Sequence, residues 1–181
     1  MLDKPLIGIV KRCENNYIKT NNSIINAIEK CGGIPITIIS YETVELCDGI
    51  ILPGGTDITD FDKNICKYAI ENDIPILGIC LGMQVMASLF EDNLERIDNH
   101  NKKEKYVHKI KTIKGSILDD IIGESYVNSR HNEHVINSGI YNVTAYIDNS
   151  IEGIEYIDNR FNVGVQWHPE DMIEYDKKNI T

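Results

Sequence analysis

Basic residues are scarce in this sequence. Eighteen Lys and Arg stand against twenty-eight Asp and Glu, a formal net charge of −10 over 181 residues. The shortage disfavours broad binding to nucleic acid or to an anionic membrane, since both need a dense cationic surface. An anionic small molecule held in a local pocket stays open. No run of about 18 apolar residues occurs, so no membrane-spanning helix is expected. The first residues, Met1-Leu2-Asp3-Lys4-Pro5, have no basic start, no apolar stretch and no small-residue cleavage site, and read as carrying no signal peptide. The five cysteines form no C-x-x-C pair. That argues against a disulfide framework and against a cysteine zinc site, and points to a cytoplasmic protein with reduced thiols. Glycine-rich phosphate loops are missing too, so neither an ATP site nor a dinucleotide cofactor is expected.

What is present fits one globular domain over 1–181, at roughly 150 residues per domain. Hydrophobic residues make up 42% and charged residues 25%, a composition able to build a core. In the first half, apolar runs at 6–10, 34–39, 49–52 and 75–79 alternate with helical spacing at 20–31, 61–72 and 81–90, and with a short helical stretch around 44–46. Runs that are apolar throughout imply strands buried on both faces. Alternation with helices implies parallel strands joined by right-handed crossovers. The fold class is therefore α/β, an open, mostly parallel sheet with helices on both faces. In the second half, short β segments at 106–114, 134–138, 142–147, 151–157 and 162–167 read as antiparallel strands appended to that sheet, with a helical turn at 117–122. The polar stretch 91–105 reads as an exposed connection, and the tail 176–181 as frayed.

Cys80 stands out from the other four cysteines, which read as small buried hydrophobes. Gly78-Ile79-Cys80-Leu81-Gly82 lies where a buried strand meets an apolar helix. Small residues two before and two after a nucleophile are what a sharp strand-to-helix turn requires. Such a turn presents the side chain at the carboxyl edge of the sheet, with the helix dipole favouring thiolate over thiol. A thiolate nucleophile needs a base and a group to orient that base. His168 and Glu170, in Gln166-Trp167-His168-Pro169-Glu170, can share one side of an extended segment. A carboxylate on one ring nitrogen leaves the other to face sulfur. Donors for an oxyanion are offered by the Leu81 N–H and by the Gly54-Gly55 turn.

Leu52-Pro53-Gly54-Gly55, Gly78-Ile79-Cys80-Leu81-Gly82-Met83-Gln84 and Gly164-Val165-Gln166-Trp167-His168-Pro169-Glu170 together resemble the class I glutamine amidotransferase superfamily, whose fold is flavodoxin-like. The resemblance implies a Cys80–His168–Glu170 triad, an oxyanion hole from the amides of Gly55 and Leu81, and Gln84 contacting the glutamyl group. The implied reaction is attack on a γ-glutamyl amide, loss of amine or ammonia, and hydrolysis of a glutamyl thioester. Pro53-Gly54-Gly55-Thr56-Asp57 and Val127-Asn128-Ser129-Arg130-His131 are similar to the γ-glutamyl-γ-aminobutyrate hydrolase branch. That likeness places Ser129 and the Arg130 backbone in the glutamyl pocket, with His131 near it. Leu81, Glu133 and the short segment between Asp57 and Phe61 depart from this branch. Leucine after the nucleophile is common in amidotransferases, so a glutaminase subunit serving a separate synthetase chain stands as the alternative. A catalytically silent binding module is a remote third. Partners on this reading are a small γ-glutamyl substrate and a synthetase subunit or a second copy of the chain.

The segment His131-Asn132-Glu133-His134 is not expected to bind metal, because H-x-x-H in a β segment sends its histidines to opposite faces. His100 and His108 are expected in solvent, as are Glu152, Glu155 and Asp158.

Overall fold

The computed structural model describes residues 4–14 and 17–173. The tail 176–181 and residues 1–3 lie outside them. In chain order the elements are β1 (Leu6–Val10), β2 (Arg12–Glu14), β3 (Tyr17–Lys19), α1 (Asn22–Lys30), β4 (Ile34–Ile38), α2 (Tyr41–Val44), β5 (Gly49–Leu52), α3 (Asp60–Glu71), β6 (Ile76–Ile79), α4 (Leu81–Ala87), β7 (Leu94–Arg96), β8 (His108–Lys109), β9 (Lys111–Thr112), α5 (Ile117–Ile121), β10 (Tyr126–Val127), β11 (Glu133–Val135), β12 (Asn142–Ile147), β13 (Ser150–Glu155) and β14 (Asn162–Val165), with a 3₁₀ turn at Pro169–Asp171.

The main sheet runs β4-β1-β5-β6-β14-β13-β11-β7, with β12 pairing β13 and β9. Its first five strands are parallel. The remainder are antiparallel. Side chains alternate across the parallel core, as a two-residue period demands. Ile50 and Leu52 meet Ile65 and Ala69 of α3 and Met83 and Met86 of α4 on one face. Ile51 and Ile79 meet Ile24 and Ile28 of α1 on the other. Helices thus cover both faces. The start of α3 is locked by a capping box between Thr59 and Asp62, which satisfies backbone donors that the first turn leaves free.

Three expectations are corrected. Residues 162–167 were expected among the antiparallel strands; instead β14 lies parallel to β6 while pairing antiparallel with β13 on its other edge. All four of its residues are buried, which requires a central position in the sheet. The run 106–114 divides into β8 and β9, because the chain changes partners at fully buried Ile110: β8 pairs β10 and β9 pairs β12. The connection 91–105 is not free of the fold. It forms edge strand β7 and bridges Asn101 to Arg130.

Candidate active site

The parallel β6 and β14 end side by side, and the two ends carry Cys80 and His168. Cys80 follows β6 directly and has φ 53° and ψ −106°, a conformation costing roughly 1–3 kcal/mol for a residue with a Cβ. The turn is held by close packing on both sides. A Cβ at Gly82 would fall 2.0 Å from the Leu52 carbonyl oxygen, and one at Gly78 2.4 Å from Met86 Sδ. The small residues flanking Cys80 are therefore a steric requirement of this bend.

His168 comes within reach through β14. A carbon built on Gly54 would touch His168 Cε1 at 2.8 Å and lie 3.7 Å from Cys80 Cβ, so the Pro53-Gly54-Gly55 turn, sulfur and imidazole share one spot. His168 Nδ1 is 2.8 Å from Glu170 Oε1. Burial works against a charged ring here, but hydrogen bonding to Cys80 and then to Glu170, together with their negative charge, outweighs it and raises His168 to about 10. The imidazole thus sits between sulfur and carboxylate, placed to exchange a proton with the one while oriented by the other.

Cys80 opens into a cleft of ≈490 Å³ lined by Gly55, Leu81, Gln84, Arg130 and His131, with Arg96 at its edge. Leu81 begins α4, so its N–H has no acceptor within the helix. Gln84 donates through Nε2 to the Glu133 carbonyl at 3.0 Å and to Gln166 Oε1 at 3.3 Å. Arg130 pairs with Asp171. Ser129 does not line this cleft. It is fully buried and its hydroxyl donates to the His100 carbonyl at 2.5 Å.

Three residues at the site were assigned no role from the sequence, although Gln166 and Asn128 lie inside the quoted motifs. Gln166, fully buried, places Nε2 3.6 Å from Cys80 Sγ. Asn128 clamps the backbone of His168 from both sides: its Nδ2 donates to the His168 carbonyl at 2.8 Å, and its Oδ1 accepts the His168 N–H at 2.9 Å. Arg12 donates to the carbonyls of Pro53 at 2.6 Å and Gly54 at 3.1 Å while pairing with buried Asp62 at 2.5 Å. The glycine turn is thereby tied to the capped start of α3.

Beside the cleft lies a second group. His100 and His108 are not solvated: their rings stack at 4.5 Å, and the His100 side chain is 13% exposed. Glu152 is buried as well, at 1%, and Glu155 caps Ile117 N–H at 2.9 Å. Both carboxylates sit on β13, which is interior to the sheet. Burial lifts Glu152 to about 8 against the pull of the Ser150 hydroxyl. Burial pushes His131 down to about 4, against the opposing hydrogen bond with the Glu133 carbonyl.

The family model described as "Glutamine amidotransferase class-I" matches residues 13–181. A γ-glutamyl-γ-aminobutyrate hydrolase of Escherichia coli is 25% identical, covering 94% of this chain and 87% of the relative. A CTP synthase of Thermosipho africanus is 30% identical over 91% of this chain and 42% of its own length. The glutaminase domain of Trypanosoma brucei CTPS, solved with acivicin bound, superposes with a TM-score of 0.76 at 19% identity, covering 98% of this chain and 91% of that one. At that identity the likeness bears on the fold.

Proposed function

The chain belongs to the class I glutamine amidotransferase family, and from that premise we propose that it hydrolyses the γ-amide of a small γ-glutamyl compound through a thioester on Cys80. The observation that carries the reading is one imidazole set between a buried carboxylate and a sulfur that opens into a cleft.

In this reading the Cys80 thiolate attacks the γ-carbonyl carbon. The oxyanion is received by the N–H groups of Gly55 and Leu81. Protonated His168 passes its Nε2 proton to the leaving nitrogen, and amine or ammonia departs as the C–N bond breaks. His168, now neutral, takes a proton from water, which attacks the thioester. Glutamate leaves and the thiolate returns. Glu170 keeps the ring oriented and supports its charge throughout. Arg96 and Arg130 line the cleft together with Glu133, and these guanidinium and carboxylate groups suit the α-carboxylate and α-ammonium of a glutamyl group. Gln84 and His131 line the wall against which that group would rest. Ser129 supports the wall from behind.

Likeness to a γ-glutamyl-γ-aminobutyrate hydrolase supports a stand-alone hydrolase. A second reading, a glutaminase supplying ammonia to a synthetase, is favoured by Leu81 and by the match to a CTP synthase. One experiment tests both. Glutamate release is measured from γ-glutamyl-γ-aminobutyrate, γ-glutamyl polyamines and glutamine, with and without candidate synthetase chains. Turnover by the isolated chain supports the hydrolase; near-idleness relieved by a synthetase supports the subunit. A folded chain that turns over none of them under either condition refutes the proposal.

A further inference from the structure

Behind the wall of the Cys80 cleft, His131 converges with a second histidine, His100, and with a buried carboxylate, Glu152. His100 Nδ1 and His131 Nε2 are 3.3 Å apart, and Glu152 Oε1 is 3.9 Å from each. Two ligands on a tetrahedral ion at about 2.0–2.1 Å are themselves about 3.3–3.4 Å apart. The histidine pair already has that spacing, and Glu152 needs to approach by about half an ångström. We propose that His100, His131 and Glu152 hold a divalent transition metal ion, zinc being the best match.

The surroundings are those of ligands prepared for an ion. A metal-binding imidazole has its other nitrogen bonded to a carbonyl or carboxylate, which fixes the lone pair toward the ion. His131 Nδ1 lies 2.9 Å from the Glu133 carbonyl, leaving Nε2 aimed at Glu152 and His100. The Ser150 hydroxyl donates to Glu152 Oε1 at 3.0 Å. The backbone of His100 is fastened to the same loop, its carbonyl accepting from the Ser129 hydroxyl and the His131 N–H. His108 packs flat on the His100 ring and restricts its rotation. Two imidazoles and one carboxylate select zinc-like ions over magnesium and calcium, which prefer oxygen alone. No Lys or Arg pairs with Glu152 among the described residues, so the ion would supply the cation that a buried carboxylate otherwise lacks. Bound there, it would clip the connection carrying His100 to the segment carrying His131, and so stiffen one wall of the cleft.

The test uses the full chain, stripped with a chelator and titrated with Zn²⁺ alone, with metal content read by elemental analysis. One ion per chain is expected, with a higher melting temperature. His100→Ala and Glu152→Gln should each weaken binding by more than about 100-fold, beyond the usual cost of losing a supporting residue. Circular dichroism checks that each variant is folded, and partly exposed His100 is the safer of the two. Cobalt substituted for zinc should give the visible bands of a four-coordinate nitrogen–oxygen site without a thiolate charge-transfer band. Failure of the folded wild type to take up zinc overturns the proposal. So does a thiolate band, which would place the ion on a cysteine, or affinity unchanged in folded His100→Ala. None of these outcomes depends on γ-glutamyl hydrolysis.

Discussion

Replacing Asn128 by alanine would remove the clamp on His168 without touching the cleft. Asn128 is 1% exposed and does not line the cleft. Its loss orphans the His168 N–H, a buried donor worth roughly 1–3 kcal/mol when left unpaired, and removes one of two bonds to the His168 carbonyl, worth about 0.5–1.5 kcal/mol. The other bond, from the Asp171 N–H at 3.3 Å, remains. The variant should lose about 2–4 kcal/mol of stability, or roughly 5–15 °C of melting temperature in a chain of this size. The larger effect should be kinetic. A displacement of about 1 Å in a catalytic group costs on the order of 100-fold. Because Asn128 does not line the cleft, kcat should fall while KM stays near its wild-type value. Glutamate release assayed well below the melting temperature reads the kinetic part, and thermal unfolding reads the other. Asn128→Asp keeps an acceptor for the N–H but turns a second acceptor toward the carbonyl, so it should lie between alanine and wild type. Wild-type kcat and melting temperature in Asn128→Ala would refute the clamp.

Three further outcomes are expected. His168 should titrate near 10 when its ring is followed by NMR, and the midpoint should move down in Cys80→Ala and in Glu170→Gln, since each removes a group that holds the proton. Its folded pKa lies above the ordinary 6.5, so its stabilisation is complete below about 6.5 and is lost as pH climbs through about 10; unfolding measured across that window reads the sign, and a wild-type midpoint at or below 6.5 would contradict it. Cys80→Gly and Cys80→Ala should both be inactive, yet the glycine variant should be more stable than the alanine variant by about 1–2 kcal/mol, because glycine adopts φ 53° without strain; equal melting temperatures would mean the bend is relaxed. Gly82→Ala should lose about 3 kcal/mol or more despite alanine's better helix propensity, because its methyl would meet the Leu52 carbonyl; a stability gain on chemical denaturation would refute the packing.

The parts of this molecule that were legible in its residues are those with local causes. Strands such as Gly49–Leu52 are apolar throughout because both of their faces are covered, and the glycines around Cys80 mark the sharp strand-to-helix turn within five residues, although the atoms that crowd them belong to Leu52 and Met86. The position of β14 was not legible, because whether a buried strand runs parallel or antiparallel depends on the neighbour it finds, and residues 162–165 find β6 from 86 residues earlier in the chain. Asn128, 40 residues from His168, and Arg12, about as far from the turn it holds, act through side chain to backbone bonds that follow no sequence period. The histidine group was hidden for the same reason. His131 and His134 looked like the relevant pair by spacing, whereas His131 meets His100, brought in by a polar connection that looked free of the fold. Glu152 and Glu155 looked solvated because charge usually is; their strand lies inside the sheet, and neighbouring hydroxyl and amide donors make that burial tolerable.

The most direct measurement of the central claim is mass spectrometry of the protein quenched during turnover of a γ-glutamyl substrate, with the modified peptide sequenced. A glutamyl group in thioester linkage on Cys80, formed and lost at rates matching kcat and absent from His168→Ala, is the predicted result. Steady glutamate release with Cys80 unmodified throughout, or undiminished release from Cys80→Ala, would contradict it.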